Sequence, residues 1–217
     1  EREIMTINTS ILDATGKLAQ YKEFLISQID MALETISSYI EIHDLDITVS
    51  PFSKEKVSPF GIGGFALSAH RVELFLDVRR DDIEAVVKKE LTAVLGHEIN
   101  HALRKSYGHK NATLLDNLVM EGLACHFEGV LNGGELSSMF VDIQHEDWGP
   151  LYEKMKPHLE STSFPFEQMF LGTKLDEYPR YAGYWVGYNL VTQYLRNENS
   201  SISDVVALDS SSFIAAI

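Results

Sequence analysis

A chain of 217 residues is long enough for one large domain or two small ones sharing a core. Its 18 basic and 32 acidic side chains leave a net charge of −14, which repels nucleic acid and anionic membranes and argues against either as a partner. The single cysteine, Cys125, excludes an internal disulfide framework and a cysteine-rich structural zinc site, and no apolar run approaches the ~20 residues that span a bilayer.

From Ile11 to Tyr39 apolar residues recur as Leu18, Tyr21, Phe24, Leu25, Ile29, Ala32, Leu33, Ile36 and Tyr39. That spacing predicts one long amphipathic helix. Leu45 to Val49, with Asp46 and Thr48 interleaved, predicts a strand ending at Ser50 and Pro51. The segment SPFGIGGFALSAHRVELFLD predicts a glycine-rich turn and two short strands, because Val72, Leu74 and Leu76 alternate with Glu73, Phe75 and Asp77. A helix over 82–106 follows, opened by a capping box of Asp81 with Glu84 and ended by Gly108.

A second helix spans 113–131, capped by Thr113 with Asp116 as its box partner and stopped at Asn132, Gly133 and Gly134. A helical stretch over 146–160 is bounded by Gly149 and Pro150 and interrupted by Pro157. PRYAGYWVGYNLVTQYLRNE predicts a helix starting at Pro179, with Tyr181, Tyr184 and Tyr188 on one face and Gly183 and Gly187 on another. A glycine costs about 1 kcal/mol inside a helix, so this pair implies a close-packed neighbour. The tail, Ile202 to Ile217, predicts short helices at Ser203 to Val205 and Ser210 to Ala216. Without repeats, low-complexity stretches or a long linker, one domain over 1–217 is expected. It would comprise an N-terminal helix (1–43), a small sheet (44–80) and a helical part (81–217).

The chemistry concentrates in GHEINHALR, 96–104. Four helical residues advance about 400°, so His97 and His101 sit about 40° apart on one face, one turn from each other. Two imidazoles so placed can converge on one metal ion, with bonds of about 2.0–2.1 Å. Glu98, rotated by roughly 100°, is poorly placed as a ligand but can reach a water molecule held at the ion. Both histidines fall within the stripe of Ile83, Val86, Val87, Ala93 and Val94, away from Lys88, Lys89, Thr92 and Asn100. Core-facing histidines must be hydrogen-bonded or metal-bound, since an unpaired buried polar group costs about 1–3 kcal/mol. The third ligand expected is Glu121, a carboxylate in the apolar stripe of Leu114, Leu118 and Cys125. The competing reading pairs it with a lysine or arginine.

HEINHALR (97–104), MEGLACHFE (120–128), GIGGFALSAHRVELFLD (61–77) and YPRYAGYWVGYNLV (178–191) together resemble the gluzincin zinc peptidases. More narrowly, they resemble the YjaZ-like group of predicted zinc-dependent proteases. The resemblance implies an α+β, mainly helical, zincin-like fold whose small sheet has its edge strand packed on the HExxH helix. It also implies one Zn2+ per chain on His97, His101 and Glu121, with Glu98 as general base, acting on a peptide or protein substrate. The edge strand would pair with an extended peptide, the alternative being a plain hairpin packed on the helix.

Two departures matter. Cys125 stands where thermolysin-like enzymes carry an Asp that orients a ligand histidine, so Asn117, Glu128 or a backbone carbonyl is left for that role. The SPFGIGGFALSAHRVELFLD segment lacks the glutamate-bearing motif with which aminopeptidases of related design hold a substrate amino terminus, which favours endopeptidase over aminopeptidase. Tyr184 is the expected oxyanion stabiliser, with Tyr188 and Arg180 behind it and an aromatic core stripe as the alternative. His126, His145 and His158 are read as surface or capping residues, His145 being the one with catalytic potential. The competing function is a zinc-stabilised binding or sensor protein without turnover. Cysteine usage makes cytoplasm the expected compartment, with secretion after removal of a leader as the alternative.

Overall fold

The computed structural model describes residues 6–52 and 59–215, and the chain divides into two units, Glu1–Tyr107 and Gly108–Ile217. Within the first unit, β1 (Ile7–Ile11), β2 (Leu45–Pro51), β3 (Ile62–Ser68) and β4 (Arg71–Leu76) form one sheet in the order β1-β2-β4-β3. β1 and β4 run parallel to β2, whereas β3 and β4 form an antiparallel hairpin with a bulge between Ala66 and Ser68. Parallel neighbours need a crossover connection, which α1 (Lys22–Ser37) supplies between β1 and β2.

The predicted Ile11–Tyr39 helix is thus shorter than its apolar spacing suggests. Ile7, Thr9 and Ile11 are β-branched and alternate with exposed Asn8 and Ser10, which suits a strand paired along one edge. The chain then turns at Asp13, whose carboxylate accepts the Leu18 N–H at 2.8 Å, and at Gly16, which takes φ +71°. Helix regularity begins only after that turn.

Leu45, Ile47 and Val49 of β2, Val72, Leu74 and Leu76 of β4, and Ile62 and Ala66 of β3 are buried. So are Leu25, Ile29, Ala32 and Ile36 of α1. The α2 helix (Ile83–Ser106) packs on α1, β3 and β4. Its N-cap is Asp82 and not the predicted Asp81 box. Asp82 spends its carboxylate on the Arg80 guanidinium, at 2.7 and 2.8 Å, and caps no helix N–H. Gly108 takes φ +85° just past the last turn, as a helix stop should.

The second unit is helical among its described residues, from α3 (Leu114–Leu131) and α4 (Trp148–Met155) through α5 (Phe166–Leu171) and α6 (Ala182–Glu198) to α7 (Ile202–Val205) and α8 (Ser212–Ala215). Thr113 and Asp116 form the predicted reciprocal box, at 3.0 and 3.1 Å, and Gly133 and Gly134 take positive φ after the end of α3. α3 and α6 pack backbone to backbone. A β-carbon on Gly187 would lie 2.0 Å from the Leu118 carbonyl oxygen, and one on Gly122 would lie 2.2 Å from that of Gly187. The glycine pair predicted to admit a neighbour divides its work, since Gly183 receives the Phe170 ring instead.

Two further boundaries moved. α6 starts at Ala182 because Tyr181 sits at φ +65°, outside the right-handed helical region, with its N–H on the Phe170 carbonyl. The stretch predicted over 146–160 is α4 followed by a 3-10 turn at Lys156–His158, where Pro157 interrupts it. The tail helices α7 and α8 appear near their predicted places. Ala216, Ile217 and Ser58, which the sequence placed in elements, lie outside the described residues.

Candidate metal centre

From Leu95 to Arg104 every side of α2 is buried, Asn100 included at 1% exposure. The predicted polar face therefore ends before the histidines. In that dry segment the His97 and His101 rings meet edge to face, with centroids 4.5 Å apart and planes at 86°. One helical turn separates them, a spacing at which two imidazoles can each offer a ring nitrogen to one ion. Glu98 lies over Gly64 of β3, where a β-carbon would stand 2.4 Å from its Cγ and 2.9 Å from Oε1. A glycine inside a strand often marks such a close approach, a signal the GIGG run carried without saying what approaches. Near the end of α2, Lys105 donates Nζ to the Ala66 carbonyl and stands 5.6 Å from the centre of the Phe65 ring.

In the second unit, α3 buries Glu121, Cys125 and Glu128 at positions that share one face. Asn117 turns its side-chain amide back to the Asn111 and Thr113 carbonyls, at 3.2 and 2.7 Å, and so secures the start of α3.

The aromatic residues of α6 separate into two groups. Tyr184, half-buried, sets its ring against Phe170 and Tyr181, with centroids 5.4 and 5.9 Å away at steep angles. Tyr188 is held between His126 and Trp185, stacked on both at 5.3 and 5.8 Å, and burial raises its hydroxyl pKa. Burial holds the His126 pKa below the usual imidazole value, and the Arg196 charge pushes the same way. Arg180 is exposed and covers the Tyr181 ring at 4.7 Å. His145 and His158 are exposed, as the sequence reading placed them, whereas His126 is part of the aromatic stack.

The donors suit zinc. The buried imidazoles of α2 are the nitrogen donors that favour zinc and its first-row neighbours over the all-oxygen shells of magnesium and calcium. A family model described as "Predicted Zn-dependent protease (DUF2268)" matches residues 25–215, and the chain belongs to this family. The uncharacterized protein YjaZ of Bacillus subtilis (strain 168) is 31% identical over 139 residues, covering 58% of this chain and 51% of the relative. The uncharacterized protein YjfC of the same organism is 28% identical over 138 residues, covering 58% and 46%. The chain thus spans about half the length of these curated relatives. No solved structure matches it. No helix among the described residues is long and apolar enough to cross a membrane.

Proposed function

We propose that this protein is a zinc-dependent peptidase of zincin-like fold, an endopeptidase in preference to an aminopeptidase. In this reading the two units form one catalytic domain. His97, His101 and Glu121 hold one zinc ion per chain, Glu98 is the proton carrier, and Tyr184 assists. The observation that carries it is the pair of edge-to-face imidazoles in the buried half of α2, with Glu98 directed onto the strand beside it. The family's description as predicted Zn-dependent proteases supports the same class.

Zinc bound to these ligands would polarise the scissile carbonyl and make a water molecule more acidic by several units. Glu98 takes a proton from that water on a carboxylate oxygen and delivers it to the leaving amine. Gly64 leaves room for the carboxylate, so its position is set before substrate arrives. β3 offers its outer edge to an extended peptide, whose main chain supplies affinity. Tyr184, whose ring is braced by Phe170 and Tyr181, donates its hydroxyl to the carbonyl oxygen as charge builds there.

The test is digestion of a peptide library by the parent, with and without a chelator, and by Glu98→Gln. Chelator-sensitive cleavage that disappears in Glu98→Gln, with metal retained, is expected. Cleavage by Glu98→Gln at the parent rate overturns the mechanism. Metal retention with no cleavage by the parent leaves a zinc-stabilised binding protein.

A further inference from the structure

The hydrogen-bond parity of β3 decides which of its main-chain groups face outward. Ile62 stands opposite Leu76, and one step earlier the Asp77 N–H donates to the Gly61 carbonyl at 2.9 Å. Hydrogen-bonded and non-hydrogen-bonded pairs alternate along an antiparallel ladder. Gly63 and Phe65 therefore turn their N–H and C=O groups towards β4, while Ile62, Gly64 and Ala66 turn theirs to the outer edge. β3 is the last strand in the order, and among the described residues no further strand pairs with it. An incoming peptide would meet three acceptors on that edge, one every second residue, about 6.6–6.8 Å apart.

One of the three is already taken. Lys105 donates Nζ to the Ala66 carbonyl, and the position of that ammonium over the Phe65 ring adds a cation–π contact that holds it there. The bulge between Ala66 and Ser68 then breaks the ladder just beyond. Among the described residues no backbone N–H donates to the Ile62 or Gly64 carbonyl outside the sheet ladder, and Gly64 is the residue over which Glu98 lies.

We propose that Lys105 is a specificity-determining residue. With its ammonium on the Ala66 carbonyl at the outer edge, it competes for that acceptor with the one substrate N–H that would face Ala66, and so relieves that position of its need for a main-chain donor. This rests on the peptidase reading and deepens it. The tolerated substrates include peptides extended along Ile62 and Gly64 that carry proline or another N-substituted residue two positions from the residue facing Gly64, or that leave the strand there. A peptide with an ordinary N–H at that position gains nothing from it.

The experiment is an N-methyl scan of one cleaved peptide, read both as kcat/KM with the zinc-loaded parent and as binding to Glu98→Gln by fluorescence anisotropy. In the parent, N-methylation should cost about fivefold to tenfold where the donor meets Ile62 or Gly64, the worth of one main-chain hydrogen bond, and under about twofold two residues beyond Gly64. Lys105→Met should restore the cost at that one position, and Lys105→Arg should keep the parent profile. Lys105→Gln serves as a second variant if Lys105→Met does not fold by circular dichroism. Identical profiles in the parent and in Lys105→Met or Lys105→Gln overturn the proposal. So does a parent profile with no N-methyl sensitivity anywhere. If the parent cleaves no peptide yet Glu98→Gln binds with the expected profile, the peptidase reading fails and the role of Lys105 stands.

Discussion

Glu98 and Gly64 fit together only because one of them has no side chain. A β-carbon at Gly64 would stand 2.4 Å from Glu98 Cγ and 2.9 Å from Oε1, closer than real β-carbon contacts come. The clash falls on the middle of the glutamate side chain, so the carboxylate must move to another rotamer. Gly64→Ala is therefore expected to lower kcat/KM by about 10- to 100-fold, the scale of a misplaced catalytic group, while zinc content stays at the parent level. Steady-state kinetics beside metal analysis checks this. Unchanged kinetics would show that the glutamate is not placed by β3.

Metal content separates the roles of the charged residues. Glu121→Ala removes a proposed ligand and should weaken zinc retention through dialysis, whereas Glu98→Gln should keep the ion. A ligand that binds only the folded state stabilises it by about 2.7 kcal/mol at a hundredfold excess over its Kd. Chelation should accordingly lower the melting temperature of the parent and of Glu98→Gln, and do little to Glu121→Ala. Equal zinc content in the parent and Glu121→Ala would remove residue 121 from the ligand set.

The crossing of α3 and α6 makes a stability prediction. Alanine is favoured over glycine in a helix by about 1 kcal/mol, so Gly187→Ala would stabilise an isolated α6. Here the added carbon meets the Leu118 carbonyl oxygen at 2.0 Å, and backbone cannot step aside as a flexible side chain can. Overpacking costs about 1–3 kcal/mol and more where backbone must separate, so the clash should win. Urea denaturation of Gly187→Ala and Gly122→Ala should give lower midpoints than the parent. A higher midpoint would mean that the helices are not in contact there.

His126 predicts a slope in pH. Burial holds its folded pKa below the unfolded value of about 6.5, so the unfolded chain binds the proton more readily. Its stabilising contribution is complete above that unfolded value and is lost as pH falls towards the depressed folded value. His126→Phe keeps an aromatic ring against Tyr188 and removes the titration. Its stability should fall less steeply than the parent's below about pH 6.5. Parallel urea-midpoint curves for the two proteins would exclude His126 as the source.

Some of this was legible in the residues alone, and the legible parts share one property. The separation of His97 from His101, the Thr113 and Asp116 box, the glycine stop after α3 and the alternation of Val72, Leu74 and Leu76 each depend on neighbours within one or two turns, or within one strand. Helical and extended geometry convert such spacings directly into directions. Apolar spacing overstates the extent of α1 because it continues across Gly16, and spacing does not register a positive φ.

What stayed hidden required segments remote in sequence to meet. Asn100 sits on the polar side of a helical wheel yet is buried, because α2 is covered all round in its second half. β1 is a strand because β2, thirty-four or more residues away, offers it a parallel ladder from Ile7 opposite Leu45 to Ile11 opposite Val49. The place of Glu98 over Gly64 and the capture of the Ala66 carbonyl by Lys105 arise only when α2 lies on β3. Local periodicity could therefore specify the chemical groups and their spacing along one helix. The surroundings that tune and restrict those groups come from long-range packing, which no window of a few residues encodes.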